Sequence, residues 1–146
     1  MNEPRFPELG FYTLAGGAQN PRDLVTECQR AEELGLGAVF ISERFNVKEA
    51  VTLSGAAAVA TTNMQIITGA TNHHTRHPMV TASYATTMHR LTGGRFVLGI
   101  GRGVAPLFDA YGLPRITTAQ MEDFTEVMRR LWHGDTIIGH DGPIGS

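Results

Sequence analysis

Residues Thr68–Gly103 read TGATNHHTRHPMVTASYATTMHRLTGGRFVLGIGRG. The stretch opens on the end of an apolar run, Met64–Thr68, which has the length and composition of a buried strand. A polar loop follows, and Pro78 then stands where a helix begins, a position that tolerates the missing N–H. Thr92-Gly93-Gly94 closes that helix, and Arg95–Ile100 reads as the next strand, followed by a second glycine-rich loop. Strand, loop, helix, turn and strand make one crossover unit. In a parallel α/β sheet or barrel, the loops that follow strands gather at the edge where ligands bind.

Working outward, the same unit recurs on both sides. Leu9–Leu14 is a predicted first strand, ending in the loop Ala15-Gly16-Gly17. Asn20 is a predicted N-cap with Pro21 as first helical residue; Leu24, Val25, Cys28, Ala31 and Leu34 follow at helical spacing, and Gly35 stops the helix. Ala38–Ser42 is a second strand, and an alanine-rich helix spans 47–61. The helix from Pro78 is predicted to bury Val80, Tyr84, Met88 and Leu91. Beyond residue 100 a loop carries Pro106 and Pro114. Thr117 and Gln120 then form a capping box for a helix burying Met121, Phe124, Met128 and Leu131, with Glu122, Asp123, Arg129 and Arg130 outward and Gly134 at its end. The last segment, DTIIGHDGPIGS, is predicted to contain a short strand.

Predicted strands start near residues 9, 38, 64 and 95, a repeat of roughly 30 residues, the size of one βα unit. Short apolar strands alternating with amphipathic helices imply an α/β fold with parallel pairing, either an open doubly wound sheet or part of a (β/α)8 barrel. A dinucleotide-binding turn fits poorly: Gly99, Gly101 and Gly103 give G-x-G-x-G, and the run leads into Pro106 rather than a helix.

With 146 residues, 42% of them apolar, the chain can bury a real core, and 17 glycines suit many turns and close approaches. A net charge of -2 and the absence of a basic patch argue against nucleic acid. The single cysteine, Cys28, excludes an internal disulfide framework and reads as core packing. No apolar run approaches a membrane span, and MNEPRFPELG lacks a signal-peptide pattern, so a cytoplasmic protein is expected.

From Gly69 onward the chain resembles the luciferase-like monooxygenase superfamily. It most resembles the deazaflavin-dependent branch that includes methylenetetrahydromethanopterin reductase. The matching pieces are GATNHHTRHP (Gly69–Pro78), LTGGR (Leu91–Arg95) and LGIGRG (Leu98–Gly103), with the earlier Ser42-Glu43-Arg44-Phe45 similar to a family strand end. The resemblance implies the first four βα units of a (β/α)8 TIM barrel. Residues 1–146 would then be the N-terminal half of one barrel domain, through helix 4 and into the insertion after it.

The resemblance also implies a site. A bulge with a non-prolyl cis peptide is expected at Gly69-Ala70, supporting the coenzyme ring. Glu43, Thr68, Gly69, Ala70, Thr71, Asn72, Gly101, Arg102 and Gly103 are the expected coenzyme contacts. Glu43, Arg44 and His73 are the candidates for a part in catalysis, and no general acid stands out. The residues alone leave other readings open: a surface ion pair for Glu43 and Arg44, a pocket wall or a solvated loop for His73 and His74, and strand-end packing for the glycines. Adjacent histidines without a carboxylate or cysteine do not make a metal site. Arg44 stands where certain sugar-phosphate dehydrogenases of this branch carry histidine. Val104 stands where they carry a catalytic glutamate, and valine transfers no proton, so sugar-phosphate chemistry is not expected.

The implied activity is hydride transfer between coenzyme F-420, an 8-hydroxy-5-deazaflavin, and a small organic substrate, with an FMN-dependent monooxygenase as the alternative. A different class is an inactive half-barrel acting as a folding or dimerisation unit. Open sheet edges favour pairing with another chain, so a homodimer is expected.

Overall fold

The computed structural model describes residues 3–15 and 19–145. The expected turn at Gly16 and Gly17 lies outside the described residues. The order of elements is β1 (Phe6–Tyr12), α1 (Asp23–Glu33), β2 (Leu36–Ile41), α2 (Ala50–Ala60), β3 (Gln65–Thr68), α3 (Pro78–Thr92), β4 (Phe96–Val97), α4 (Ala105–Ala110) and α5 (Thr118–His133). The chain divides into two compact units. One is Met1–Thr71 with Thr87–Ile100, and the other is Asn72–Thr86 with Gly101–Ser146.

The first unit holds the sheet, ordered β1-β2-β3-β4, with every neighbouring pair parallel. This order decides between the two architectures. A doubly wound sheet reverses direction at a switch point, whereas a barrel adds each strand beside the last. Val39, Ile66 and Phe96 are in register across β2, β3 and β4 and are buried. Leu24, Cys28 and Ala31 of α1 and Leu53, Ala57 and Ala58 of α2 are also buried. Each large apolar side chain buried in this way contributes about 1.5–3 kcal/mol. The adjacent row, Tyr12, Phe40, Ile67 and Val97, is also in register, and Tyr12, Phe40 and Val97 are exposed. Such a row is one layer of a barrel lining, the one nearest the carboxyl edge, since β1 ends at Tyr12 and β4 at Val97.

β1 starts three residues earlier than the sequence predicts, and it runs through Pro7. Proline is tolerated there because β1 is an edge strand. β4 is shorter than predicted, since beyond Val97 the only ladder contact is a single bridge from Ile100 to Thr71. α1 starts at Asp23, not Pro21. Asn20 instead orders the preceding turn, accepting from the Arg22 N–H at 3.3 Å and donating to Asp23 Oδ1 at 2.7 Å.

The second unit is helical. α3 keeps part of the predicted inward stripe, Met88 buried and Tyr84 half-buried, but differs in the rest. Thr81, Ala82, Ala85 and Met88 are buried, while Val80 and Leu91 are each 55% exposed. Three of these four are small or polar, and a search for large apolar side chains overlooks them. The predicted loop around Pro106 contains the short helix α4, with proline in its first turn and Phe108 buried. The capping box of α5 is present, with Thr117 Oγ1 accepting from the Gln120 N–H at 3.1 Å and Gln120 Oε1 from the Thr117 N–H at 2.9 Å. Asp123 is not an outward charge: its Oδ2 accepts from the Ile144 N–H at 3.0 Å and meets His140 Nε2 at 3.1 Å. It thereby ties the final segment to α5. That segment forms no strand, only a Gly142–Gly145 bridge.

Candidate active site

The site grows from the carboxyl ends of β2, β3 and β4. The Gly69-Ala70 peptide bond is cis. The loop that holds it is stitched to both neighbouring strands. The Gly69 N–H donates to Ile41 O at 2.8 Å, the Glu43 N–H to Ala70 O at 3.2 Å and the Thr71 N–H to Gly99 O at 3.0 Å. Thr68 adds a side-chain clamp, its hydroxyl donating to Gly99 O at 2.9 Å and accepting from the Gly99 N–H at 2.8 Å. A Cβ on Gly99 would stand 2.0 Å from Thr68 O, so only glycine permits this approach. Thr68 and Thr71 are buried, whereas Gly69 is exposed. A firmly bonded loop, exposed at Gly69, therefore lies at the strand ends.

Glu43 is anchored beside it. One carboxylate oxygen accepts from the Thr71 hydroxyl at 2.6 Å, and the other from the Ala50 N–H at 3.2 Å at the start of α2. The carboxylate thus links the loop after β2, the loop after β3 and the helix that follows β2. Arg44 is exposed, and its backbone closes a tight turn with Lys48 through bonds of 3.0 and 2.9 Å.

That turn positions a group the sequence reading missed. Lys48 is 7% exposed, and its ammonium donates to Thr13 O at 2.8 Å and Leu14 O at 3.3 Å, past the end of β1. It also lies 4.2 Å from the centroid of the Tyr12 ring. The Tyr12 hydroxyl is hydrogen-bonded to the Ser42 hydroxyl. Burial pulls the Tyr12 phenol upward, but the bond to Ser42 and the charges of Lys48 and Arg44 outweigh it, leaving the phenol below its ordinary value. The one signal available beforehand was that Lys48 is the only lysine in the sequence.

The remaining candidates lie in the second unit. Asn72 Oδ1 accepts from the His74 N–H at 3.0 Å, the Thr75 N–H at 3.1 Å and the Thr75 hydroxyl at 3.2 Å, so it organises its own loop. His73 is not solvated. It is 6% exposed, its ring stacks on Phe124 at 5.1 Å, and neither ring nitrogen has a hydrogen-bond partner. Burial first, and then the neighbouring His74, hold its imidazole down at about 4. Arg102 is exposed and bonded to the Thr118 hydroxyl at the start of α5. Gly103 has φ +73°, and a Cβ there would strike the Phe108 ring at 2.2 Å, so packing alone accounts for this glycine. Among the described residues, no three histidine, cysteine or acidic side chains are grouped to hold a metal.

Residues 8–144 match the family described as luciferase-like monooxygenase. The chain is 37% identical over 84 residues to the 5,10-methylenetetrahydromethanopterin reductase of Methanopyrus kandleri, covering 58% of this chain and 24% of the relative. It is 30% identical over 131 residues to the F-420-dependent glucose-6-phosphate dehydrogenase of Amycolatopsis mediterranei, covering 80% of this chain and 39% of that protein. The solved coenzyme F-420-dependent tetrahydromethanopterin reductase of Methanopyrus kandleri superposes with a TM-score of 0.74 at 26% identity, over 88% of this chain and 40% of that one. The chain therefore spans between a quarter and two-fifths of the length of these relatives. No helix among the described residues is long and apolar enough to cross a membrane. A sequential parallel sheet, a stitched loop at its carboxyl edge and a match along almost the whole chain lead to one conclusion: the chain belongs to the luciferase-like monooxygenase family and carries the first four βα units of its barrel.

Proposed function

We propose that residues 1–146 are the N-terminal half of a single barrel domain whose whole protein is a coenzyme F-420-dependent oxidoreductase. It acts on a small organic substrate, in the cytoplasm and as a homodimer. The observation that carries this reading is the Gly69–Thr71 loop, exposed at Gly69 and fixed by Ile41, Glu43 and Gly99. A planar heterocycle is best supported by an unyielding surface with little side chain in the way, and the exposed Gly69, with no side chain of its own, offers that at the rim. The residues fit the coenzyme on that ground, and relatives named for F-420 dependence support the choice.

When bound, the deazaflavin supplies a ring carbon that gives or takes a hydride. The chain's own part is positioning and electrostatics. Gly69 and Ala70 would support the ring, while Thr68 and Thr71 fix that backbone and Glu43 locks Thr71 to the start of α2. Rigid support of this kind holds reacting atoms within the near-attack range of about 3–3.5 Å. Parts for Asn72, Gly101, Arg102 and Gly103 in holding the coenzyme, and for Arg44 and His73 in catalysis, rest on family resemblance alone.

Titrating the protein with coenzyme F-420 and, separately, with FMN, followed by cofactor fluorescence, tests the reading. Saturable F-420 binding with no comparable uptake of FMN is expected. Preference for FMN would replace the reading with the monooxygenase one, and binding of neither would leave an inert half-barrel.

A further inference from the structure

We propose that Tyr12 is the proton-donating side chain of this rim, with Ser42 and Lys48 as its positioning residues, serving an electron-rich oxygen or nitrogen atom of the bound substrate. The proposal rests on the oxidoreductase reading given above and supplies the acid which that reading lacks. Four observations carry it.

Tyr12 is the last residue of β1 and sits in register with Phe40, so it stands at the same edge of the sheet as Ser42 and the Gly69–Thr71 loop. At 38% exposure its ring is partly covered yet open to a ligand. Its hydroxyl is held by Ser42, so the phenol is oriented before any ligand arrives. Lys48 is a buried ammonium for which two carbonyls and the face of the Tyr12 ring are the partners, and none of the ion pairs among the described residues includes it. A buried cation without a carboxylate is costly unless an anion forms beside it. The phenolate of Tyr12 is such an anion.

The charged groups around Tyr12 agree in sign. Lys48 and Arg44 come from the turn after β2, and both favour the ionised phenol. The nearest carboxylate on α1, Glu27, is taken up by the Thr13 hydroxyl at 2.5 Å and the Leu14 N–H at 2.9 Å. In the proposed step the Tyr12 O–H bond breaks and an O–H or N–H bond forms on the substrate atom beside the carbon that has received a hydride. The phenolate left behind is held by Lys48 and regains its proton from solvent through its exposed edge. A carbonyl or an imine is the substrate group this chemistry suits.

Tyrosinate absorbance near 295 nm tests the proposal without any coenzyme, so its failure is separable from failure of the oxidoreductase reading. The sequence holds three tyrosines. In the native protein one third of the absorbance change is expected below the ordinary phenol range, near 10. That component should vanish in Tyr12→Phe, move upward in Lys48→Met and persist in Lys48→Arg, which keeps the charge if the methionine variant fails to fold. Three tyrosines titrating together at the ordinary value would overturn the proposal, as would a low component that survives Tyr12→Phe.

Discussion

The two ends of the sheet carry polar networks of opposite design. At the amino end, before β3 and β4, side chains are consumed by backbone. The Glu32 carboxylate accepts from the N–H groups of Thr62, Asn63 and Met64 at 2.6–3.0 Å. Arg95 donates to the carbonyls of Ala58, Thr61, Met64 and Thr92 and to the Thr61 hydroxyl, at 2.7–3.3 Å. At the carboxyl end, Gly69 is exposed, Tyr12 is partly open, and the buried Lys48 is in no ion pair among the described residues. One end spends its hydrogen bonds on stability. The other uses them to hold an exposed glycine and a few side chains in fixed positions at the rim. In barrels these are the usual roles of the two faces.

The sharpest way to break this comparison is Arg95→Ala. The change strands several buried carbonyls at once, and hydrogen bonds to a charged group are worth about 1.5–3 kcal/mol each, though not additively. A loss of about 3 kcal/mol or more is expected in urea unfolding. Coenzyme affinity of the folded fraction should be unchanged, and a loss of affinity without a loss of stability would contradict the division of roles.

Acid separates regions further. His73 in the second unit has its folded-state value lowered to about 4, against about 6.5 in an unfolded chain. Below 6.5 the unfolded state takes up the proton first. Stability is therefore whole above that pH and falls as pH drops from 6.5 towards 4, by on the order of 2–3 kcal/mol. Glu32 acts later. Burial raises its carboxyl, but the three backbone donors and the Thr62 hydroxyl lower it further, to a net value below 4.5. Its contribution is lost only as pH falls below that value. His73→Phe should flatten the first slope to the smaller part due to His74, which burial also lowers, and leave the second, as read by thermal unfolding across pH.

Thr71→Val gives the smallest change in stability. It deletes the bond to Glu43 but keeps the volume, and about 1.5 kcal/mol is expected, the low end for a single bond to a carboxylate. Coenzyme F-420 affinity should drop roughly tenfold, which corresponds to about 1.4 kcal/mol. If Thr71→Val destabilised the protein as much as Arg95→Ala, the two ends would be alike and the comparison would fail.

Much of this was legible beforehand because it is local. The strand–helix alternation follows from apolar runs and glycine punctuation. The capping box at Thr117–Gln120 and the stop at Gly134 follow from residue types at fixed spacing. The Gly69–Thr71 loop was identified through family resemblance, and the structure adds its stitching to Ile41, Glu43 and Gly99. The inward face of α3 was legible only at Met88, because Thr81, Ala82 and Ala85 are buried without the hydrophobic size that marks a core position in sequence. The tie between Asp123 and residues 140–144 joins charges far apart in sequence, which no periodicity reveals.

Read alone, the chain specified its alternating βα units, its short buried strands and its family, since each depends on neighbours within a few turns. Tertiary structure decided the strand order, and with it the barrel, because strand order is set by which edges pair. It also brought Lys48 beneath Tyr12, across 36 positions of sequence, by closing the turn from Arg44 to Lys48 against the end of β1. Electrostatic partners act through space, and so the chemistry of the rim exists only in the folded chain.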